Sequence, residues 1–596
     1  MARYLYDVES DGLLDTITKL HCVVLQDADT GDVFSFKPNE VEEGLKMLME
    51  ADQTIAHNGI NYDIPAIQKV YPWFELDESK CFDTLVATRL IWTDLMDRDQ
   101  SIIAAGKLKP RQRGSHALMA WGARLGVLKG DFGASTDWSE YSDEMLEYCE
   151  QDVLVTKKLF ELIESKNYSP QALELEHKVA FILAKQQRHG FLFDVNKAEK
   201  LNQVLLGEKA DIETKLQTVF KPWFSAVEVR TPKRSINYKD VTRHSTWAGV
   251  SYTKVKLNTF NASSRGHISN RLQHLYNWKP TDFNKDGSPR IDDEILGALP
   301  YPEAQLISTY LMLQKRLGQL SEGKNSWLNL VGEDKRIHGS INTNGAVTGR
   351  MTHAYPNVAQ TPSVGKPYGA ECRELYCVPS DKKLVGVDVS GLELRMLGHF
   401  LARFDNGDYA NEVISGDVHQ RNADILGISR SASKTWIYAY LYGSGAANLG
   451  ALVGKGAKAG AKMKADFLDA TPALAQLING VQHAAEAGSI KGLDGRRVHI
   501  RAKFAALNSL LQSAGAIVCK QWAVEMDQMI KAKGYQSKVQ VVANIHDEHQ
   551  YEADNDIAEE VAEMSIEAIK KAGRHFDLRV PLDGDANIGN NWKETH

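Results

Sequence analysis

Alternating apolar and polar positions mark the first strand of the chain, at residues 3–9. In this segment Asp7 and Glu9 lie two residues apart. Side chains two apart in a strand point to the same face, so both carboxylates leave one side of the predicted strand. Two like charges this close repel unless a cation lies between them, so the pair predicts a divalent-metal site.

Two later segments of the N-terminal region also place acids beside predicted elements. The strand-like run 54–65 carries Asp63 at the edge of a turn. Residues 145–154 have a helical pattern of apolar positions, and within it Tyr148 and Asp152 lie one turn apart on the same face. The pattern therefore predicts four acids and one tyrosine, distributed over a strand, a turn and a helix.

Long amphipathic helices are predicted in the middle of the chain, at 174–189, 195–220 and 304–320. Between the second and the third lies a less regular segment, 221–261, in which Lys and Arg are interleaved with Trp and Tyr. Such a segment can follow a nucleic-acid backbone or dock a partner. The same pattern equally fits a β-rich excursion with a solvated basic face.

A strand followed by a turn and a helix is predicted at 383–395. Asp388 lies at the end of that strand, and its carboxylate together with the carbonyl of Val389 suits a hard cation. Residues 539–552 alternate like a hairpin with acids at the turn, and Asp547 is the natural mate for Asp388. The sequence thus predicts a second metal site, far along the chain from the first.

One helix, at 429–443, carries a regular stripe of cations and phenol rings. Ser429 is a candidate N-cap and Gly443 a stop signal. The stripe recurs every fourth residue, and each step overshoots a full turn by about 40°, so its members form one slowly drifting row. They are Arg430, Lys434, Tyr438 and Tyr442. The cations suit a triphosphate and the rings suit a base and sugar, although an amphipathic helix with a solvated basic end has the same pattern.

Composition sets wide bounds on the class of protein. A chain of 596 residues has room for about three to five domains, and 43% apolar with 25% charged residues is ordinary for a soluble globular protein. The six cysteines include no C-x-x-C pair, which argues against a disulfide framework or zinc knuckle and fits a reducing cytosol. The N-terminus has no signal-peptide pattern, and no apolar run reaches the ~18 residues of a membrane span.

The net charge of −7 does not by itself indicate a nucleic-acid binder. Phosphate binding depends on local clusters, and the chain has four basic segments, at 107–113, 230–256, 455–464 and 491–503. Any one of these segments has a simple explanation as a solvated face. Four of them in an acidic protein favour contact with a polyanion.

The N-terminal acids have a familiar order and spacing. Asp7 with Glu9, then Asp63, then Tyr148-x-x-x-Asp152 resemble the three motifs of the DnaQ-like 3′→5′ proofreading exonucleases. That family has an α/β fold of the ribonuclease-H type. The resemblance implies that the four acids hold two Mg²⁺ or Mn²⁺ ions and that Tyr148 orients the attacking water. Every acidic position of the pattern is filled, so an active nuclease is expected.

The remaining motifs resemble those of family A DNA polymerases. Asp388, the stripe helix and His546-Asp547-Glu548 correspond to that family's motifs A, B and C, and the likeness continues to Asn591-Trp592. The nearest resemblance is to the replicative polymerases of short-tailed lytic bacteriophages, the branch that includes the thioredoxin-using enzyme. Because Asp7 lies so near the first residue, we expect no 5′-nuclease domain ahead of it.

The resemblance implies a role for each matching residue. The expected catalytic residues are Asp388, Asp547, Lys434, Tyr148 and Glu548. The expected metal ligands are Asp7, Glu9, Asp63, Asp152, Asp388, Val389 and Asp547. The expected nucleotide-binding residues are Arg430, Lys434, Tyr438, Tyr442, His419 and Glu393. The expected DNA-binding residues are Arg350, Gln512, His546 and Asn508.

Some of these roles are more specific. By the resemblance, Lys434 donates a proton to pyrophosphate, Tyr438 faces the sugar 3′ position, and Glu393 fills the space of a 2′-hydroxyl. A Tyr rather than a Phe at position 438 implies tolerance of dideoxynucleotides. Tyr442 is expected to stack by the templating base, and Arg350 to read the minor groove.

The expected architecture is α/β plus α+β. It comprises a ribonuclease-H-like exonuclease domain at 1–168 and a right-hand polymerase domain at 169–596. The expected subdomains are a thumb at about 169–335, a palm at about 336–420 and 495–596, and fingers at about 421–494. The thumb insertion, 222–261, is visibly shorter than that of the thioredoxin-using relatives, which argues against a thioredoxin-type processivity factor.

The expected function is phage-genome replication by two-metal DNA synthesis with 3′→5′ proofreading, in the cytoplasm of an infected bacterium. The expected cofactor is Mg²⁺, two per active site, with Mn²⁺ as a substitute. The expected partners are primer-template DNA, dNTPs, a replisome helicase-primase and a single-strand-binding protein. Two alternatives stay open from the residues alone. One is a stand-alone exonuclease with a DNA-binding C-terminal part, and the other is a non-enzymatic single-strand-binding scaffold.

Overall fold

The computed structural model describes residues 2–127 and 137–596. Contacts along the chain divide it into two compact units. The larger unit comprises Met1–Phe193, Arg336–Val364 and Tyr376–His596, and the smaller comprises Asp194–Lys335 and Gly365–Leu375.

The N-terminal part of the larger unit is a five-stranded sheet with helices packed on it. Its strands are β1 (Arg3–Ser10), β2 (Leu20–Asp27), β3 (Val33–Phe36), β4 (Gln53–Ala56) and β5 (Cys81–Asp83). Its helices are α1 (Val41–Met49), α2 (Asp63–Val70), α3 (Thr84–Ile91), α4 (Leu95–Ala104), α5 (Leu118–Leu125) and α6 (Asp143–Glu164). The strand order is β3-β2-β1-β4-β5, with β2 antiparallel and β4 parallel to β1.

The next elements belong partly to each unit. In the larger unit they are α7 (Pro170–His189) and β6 (Phe191–Leu192). The smaller unit contributes α8 (Val195–Val219), β7 (Trp223–Arg230), β8 (Tyr252–Asn258), α9 (Arg265–Tyr276), α10 (Asp293–Ala298), α11 (Pro302–Leu317) and α12 (Trp327–Leu330). The larger unit resumes with β9 (Arg336–Ile337), β10 (Ser340–Asn342) and β11 (Thr352–Ala354), and α13 (Gly369–Glu374) again belongs to the smaller.

The rest of the chain belongs to the larger unit. It begins with β12 (Lys382–Val389), α14 (Leu392–Leu401), α15 (Asp408–Ser415), α16 (Val418–Leu426) and α17 (Arg430–Leu441). It continues with α18 (Ala446–Ala451), α19 (Ala457–Ala470), α20 (Pro472–Ala484), β13 (Ser489–Lys491), β14 (Arg497–His499) and α21 (Ala506–Lys533). It ends with β15 (Val539–Ile545), β16 (Glu548–Asp554), α22 (Ala558–His575) and β17 (Gly584–Gly589).

A four-stranded antiparallel sheet, in the order β15-β16-β12-β17, is the platform of the C-terminal part. One continuous core joins this sheet to α14, α17, α21 and α22. The central strand β12 is buried along most of its length, because Leu384, Val385 and Val387 face packed neighbours. The mixed α/β content predicted from the sequence is therefore present in both parts of the larger unit.

The segment between α8 and α9 in the smaller unit forms an antiparallel ribbon, β7 with β8. Both strands are largely exposed, and Phe224 and Val229 are 69% and 71% exposed. Of the two interpretations open for 221–261, the structure matches the β-rich excursion in its secondary structure.

The predicted start of the thumb, at residue 169, precedes a helix that belongs to the larger unit. Helix α7 packs against α21 through Leu175, Ile182 and Ile517. Periodicity predicts the helix but not the partner of its apolar face. The division into exonuclease, thumb, palm and fingers stays a prediction.

Burial keeps one histidine of the larger unit neutral, which predicts a pH dependence. His399 on α14 is 8% exposed and its Nδ1 accepts a hydrogen bond from the main-chain N–H of Arg579, at 3.1 Å. Burial, with Arg579 and Arg403 nearby, lowers its pKa from 6.5 to about 4. The unfolded chain therefore binds this proton at higher pH than the folded chain, and the free energy of unfolding falls as the pH drops through this range.

Between about pH 7 and about pH 5, the free energy of unfolding of the unchanged protein should fall. In His399→Gln this fall should be smaller by roughly 2 kcal/mol. Urea unfolding at the two pH values measures this difference. His483→Gln, which alters a side chain that is 85% exposed, should keep the original pH dependence. The expectation would be contradicted if the free energy of unfolding changed with pH by the same amount in the unchanged protein and in His399→Gln.

Candidate active site

The end of β12 brings the predicted acids Asp388 and Asp547 together. Asp388 is an exposed position between the buried Val387 and Val389, and it lies opposite Glu548 in the β12–β16 ladder. Asp547 lies in the hairpin turn just before Glu548, and its carbonyl accepts a hydrogen bond from the N–H of Val389, at 3.0 Å. Two residues 159 positions apart in sequence thus share one strand end.

Burial and neighbouring carboxylates both shift the pKa values of these acids. Partial desolvation, followed by repulsion from Asp547 and Glu548, raises the pKa of Asp388 to about 7. Desolvation, and then Glu393, raises the pKa of Asp547 above its ordinary value. Carboxylates that repel each other in this way form a site that favours a bound cation.

Glu548 is held by the last residues of the chain. Its Oε1 accepts hydrogen bonds from Trp592 Nε1 and from Gln550 Nε2, the latter at 2.8 Å, and its Oε2 lies 2.9 Å from Nδ1 of His596. The sequence predicts a catalytic role for Glu548 but not this clamp, since the contact joins the hairpin to the C-terminus. Glu548 is buried, and these contacts fix it beside Asp388.

The stripe helix forms as predicted, as α17. The side chain of Ser429 caps it by accepting from the N–H of Ala432, and Gly443 follows its end with a φ of 82°. Trp436 and Tyr440 stack 5.5 Å apart on the buried side. In the row, Arg430, Lys434 and Tyr442 are exposed, and Tyr438 is partly buried against the core. The four side chains of the row were predicted from spacing alone.

The stripe has a local electrostatic setting that the spacing did not predict. Nε of Arg430 lies 2.7 Å from a carboxylate oxygen of Asp417. Desolvation, with Lys434 and Arg430 nearby, lowers the pKa of His419, which places these three groups close together. The His419 ring also lies 6.4 Å from that of Tyr438.

The end of the stripe at Tyr442 contacts Glu393 of α14. The Tyr442 hydroxyl donates to Oε1 of Glu393 at 2.6 Å, and Nη2 of Arg350 lies 3.4 Å from the same oxygen. Desolvation, followed by Glu393 and Asp547, raises the pKa of Tyr438 to about 12. One continuous site therefore comprises the stripe, Glu393, Asp388 at the end of β12, and Asp547 in the turn between β15 and β16.

The predicted DNA-contacting residues line a pocket beside this site. Arg350, Gln512 and His546 lie on its wall together with Glu393 and Asp547. Gln512 Nε2 donates to Oδ1 of Asn508 at 2.9 Å, one helical turn away on α21. Three of the four predicted DNA-binding residues thus line one pocket, and Asn508 contacts one of them, Gln512.

His546 has a φ of 56°, an unusual backbone conformation for a residue that is not glycine. Desolvation, with Arg350 nearby, lowers the pKa of its ring. Strained positions of this kind cluster at functional sites.

A second acidic cluster lies on the N-terminal sheet. Asp7 and Glu9 share one face of β1, and ligand atoms of these two residues and Cys149 all lie within 4.8 Å of one another. Desolvation, with Asp83 and Asp152 nearby, raises the pKa of Asp63 to about 7. Asp7 and Glu9 are thus brought together with Cys149. Asp63, at the start of α2, is linked to Asp152 of α6 through the repulsion between their carboxylates.

Two residues of this cluster were missed by sequence reasoning. Cys149 is buried and its Sγ donates to Oδ2 of Asp7 at 3.7 Å. Asp83 is buried and accepts from the N–H groups of Asn58 and Leu85, at 2.9 and 2.8 Å. The signal for Cys149 was its place next to Tyr148 on the same helix, whereas Asp83 is the last residue of the short strand β5, which carries no motif.

Residues 239–594 match the family model described as DNA polymerase family A. The DNA-directed DNA polymerases of Enterobacteria phage T3 and Escherichia phage T7 are each 37% identical to this chain over 702 aligned positions, covering 99% of this chain and 99% of each relative. This chain belongs to DNA polymerase family A. It is a DNA-directed DNA polymerase, so neither the stand-alone exonuclease nor the single-strand-binding scaffold remains as an alternative.

A solved structure has the same fold as this chain. It is the polymerase domain of Pol1 from M. smegmatis in complex with DNA primer-template and dNTP, with a TM-score of 0.74 and 17% identity, covering 99% of this chain and 96% of that one. The aligned span with the phage relatives is longer than this chain, so those family A polymerases carry insertions that this chain lacks. Within residues 2–127 and 137–596, no helix is both long enough and apolar enough to cross a bilayer.

Proposed function

We propose that this family A polymerase joins deoxynucleotides to a primer 3′ end at Asp388 and Asp547. We also propose that it removes 3′-terminal nucleotides at the N-terminal acids. The observation that carries the first proposal is the meeting of Asp388, Asp547 and Glu393 with the Arg-Lys-Tyr-Tyr stripe. A site for a triphosphate and a site for cations then lie side by side.

The donor set at the end of β12 fits divalent ions such as Mg²⁺, with Mn²⁺ as a substitute. The carboxylates of Asp388 and Asp547 and the carbonyl of Val389 are the hard oxygen ligands that such ions prefer. The raised pKa values of both acids reflect desolvation first and repulsion from neighbouring carboxylates second, and bound cations would relieve the repulsion. When bound, a pair of these ions activates the attacking hydroxyl and neutralises the leaving pyrophosphate.

The side chains of the chain itself bind and orient the nucleotide. Arg430, Lys434 and His419 would hold the triphosphate, and Lys434 would give a proton to the departing pyrophosphate oxygen. Glu393 is fixed by its hydrogen bond from Tyr442, so its carboxylate stays in place to exclude a 2′-hydroxyl. In-line displacement needs little more from the protein than this positioning.

The primer-template duplex would lie beside the pocket formed by Arg350, Gln512 and His546. Arg350 and Gln512 offer hydrogen-bond donors, which suit the acceptor atoms that every base pair presents in the minor groove. His546 would support the primer end, and Asn508 would contribute through its bond to Gln512. Contacts of this kind test base-pair geometry without reading sequence.

The N-terminal cluster fits a second pair of divalent ions in a DnaQ-type domain. Asp7, Glu9, Asp63 and Asp152 supply carboxylate oxygens, and Tyr148 would orient the attacking water. The support is the close grouping of Asp7 with Glu9, together with the raised pKa of Asp63, which is caused by desolvation and by repulsion from Asp83 and Asp152. The enzyme would then correct its own errors during synthesis.

The setting that follows is replication of a phage genome in the cytoplasm of an infected bacterium. Primer-template DNA and dNTPs would be the substrates, and a helicase-primase and a single-strand-binding protein the replisome partners. The short ribbon β7–β8 offers less surface than a long insertion, so we propose synthesis without a thioredoxin-type factor.

A labelled primer on a longer template tests the proposed function. Extension with dNTPs and shortening without dNTPs should both require added Mg²⁺ or Mn²⁺ and should stop with a chelator. Synthesis that continues unchanged in excess chelator would overturn the two-metal proposal for Asp388 and Asp547.

Tyr438 should set the tolerance for dideoxynucleotides. A hydroxyl at position 438 can replace the hydrogen bond that a missing 3′-hydroxyl would have made, and a phenyl ring cannot. We expect Tyr438→Phe to lower incorporation of dideoxynucleotides relative to deoxynucleotides by roughly tenfold or more. Competition between the two nucleotides in a single-insertion assay measures the ratio. An unchanged ratio would contradict the proposed orientation of this ring, and Tyr440→Phe, on the buried side of α17, is the matched control.

A further inference from the structure

Four charged side chains are buried together next to the loop that carries Arg350. This buried quartet consists of Glu176 on α7, Lys520 on α21, and Asp494 and Arg496 in the turn before β14. Each of these side chains is at most 2% exposed. The mechanism proposed above uses none of them.

Arg496 is the hub of the quartet. Its Nε and Nη2 donate to a carboxylate oxygen of Asp494 at 2.9 and 2.6 Å, and its Nη1 donates to Glu176 Oε1 at 2.7 Å. Lys520 Nζ pairs with the same Glu176 oxygen. Two cations and two carboxylates are thus neutralised in one network that a planar, forked guanidinium can span.

The same guanidinium supports the turn 346–350. Nη1 of Arg496 also donates to Asn344 Oδ1 at 3.3 Å, and a Cβ added at Gly349 would lie 2.9 Å from that nitrogen. Gly349 has a φ of 83° and closes the turn by donating to the carbonyl of Ala346 at 2.9 Å. The residue before Arg350 therefore lies directly against Arg496.

The quartet touches the other wall of the pocket as well. Lys520 lies on α21 about two turns after Gln512, and both line the pocket that Arg350 enters. One network thus contacts the turn that carries Arg350 and the helix that carries Gln512.

Stability is a weak reason for such a network. Buried ion pairs lose so much hydration that apolar replacements are often as stable or more stable. Fixed geometry is the other property that a fully paired buried network supplies.

We propose that Arg496 is a positioning residue for minor-groove contact. It holds the turn 346–350 against α21 so that Arg350 and Gln512 reach the same edge of the primer-template duplex. This inference rests on the proposed role of Arg350 in DNA binding.

Single-turnover insertion onto two primers tests the inference. One primer ends in guanine, and the other ends in 3-deazaguanine, which lacks the N3 acceptor in the minor groove. A lost bond to a charged donor should slow the unchanged protein roughly tenfold or more on the second primer. Arg350→Ala should be slow on both primers, with no difference between them. Arg496→Lys keeps the positive charge but loses the forked guanidinium. Its insertion rate on the guanine primer should exceed that on the 3-deazaguanine primer by less than roughly threefold.

Arg124 supplies the matched control. It is a second buried arginine, with Nη2 2.8 Å from Asp99, and its other hydrogen-bond partner is the carbonyl of Ser115 rather than the turn 346–350. Arg124→Lys should lower the melting temperature to a similar extent as Arg496→Lys while keeping the full ratio of rates. Glu176→Gln, which leaves Arg496 in place, is the second variant if Arg496→Lys does not fold, and its ratio should also fall.

The outcomes separate the two levels of the argument. Suppose that folded Arg496→Lys or folded Glu176→Gln discriminates between the two primers as strongly as the unchanged protein, while Arg350→Ala does not discriminate. That result would overturn the positioning role of Arg496 alone. If Arg350→Ala still discriminated between the two primers as strongly as the unchanged protein, the minor-groove role of Arg350 would be overturned. If Arg124→Lys lost as much discrimination between the two primers as Arg496→Lys, lost stability rather than positioning would explain the effect.

Discussion

Replacing Asp388 by alanine should abolish DNA synthesis and leave 3′→5′ degradation intact. Asp388 lies at the strand end where Asp547 and Glu548 meet, and its carboxylate is proposed to bind both divalent ions. Without it, the hydroxyl and the leaving group lose their charge stabilisation together. We expect the rate of single-nucleotide insertion to fall by roughly 10³-fold or more.

Asp585 provides a matched control for this variant. It lies opposite Asp388 in the β12–β17 ladder, and its Oδ2 accepts a hydrogen bond from Ser390 Oγ at 2.7 Å. Asp585→Ala removes an acid from the same sheet without touching the proposed ligand set, so synthesis should change by less than roughly threefold. Loss of degradation together with synthesis in Asp388→Ala would mean that the two activities do not belong to separate sites.

The double variant Asp7→Ala with Glu9→Ala should have the opposite result. Both carboxylates leave one face of β1 and approach Cys149 on α6, so removing them empties the proposed exonuclease site of its paired ligands. Degradation of a labelled single strand should fall by roughly 10³-fold or more. Synthesis on a matched primer should stay within roughly twofold, because no acid of the polymerase site has changed.

A mismatched primer end gives this second prediction its sharpest readout. The unchanged protein should remove the mispaired nucleotide before extending, whereas the double variant should stall or extend the mismatch. Asp29→Ala, which alters an exposed acid 2.5 Å from Arg3 on the same sheet, is the control. Continued removal of the mispaired nucleotide by the double variant would mean that the N-terminal acids are not the nuclease.

Much of the proposed polymerase site could be predicted because its signals are local. The stripe on α17 follows from helical periodicity, with Ser429 as its cap and Gly443 as its stop. The hairpin with Asp547 at its turn follows from alternation of apolar residues, and both predictions are confirmed by the structure.

The rest of the site depends on contacts between distant parts of the chain. Nothing near Glu548 in sequence indicates that Trp592 and His596 hold it, because that contact spans more than 40 residues. Helix periodicity likewise could not reveal that α7 packs with α21.

The pairing of charges in the buried quartet could not be predicted from local sequence either. Arg496 belongs to a basic segment, 491–503, that the sequence suggests as a solvated or polyanion-binding face. In the structure its side chain is buried and paired with Glu176 from α7. Charge patterns identify where cations occur, but only the tertiary fold decides which of them meet a carboxylate.

The central claim is that acids distant in sequence form two separate sites for pairs of divalent ions. Anomalous diffraction from crystals grown with Mn²⁺, primer-template DNA and a non-hydrolysable dNTP tests it most directly. We expect Mn²⁺ peaks in contact with both Asp388 and Asp547 near the triphosphate, and further peaks among Asp7, Glu9 and Asp152. A map in which no Mn²⁺ contacts both Asp388 and Asp547, with the triphosphate bound away from Lys434, would contradict it.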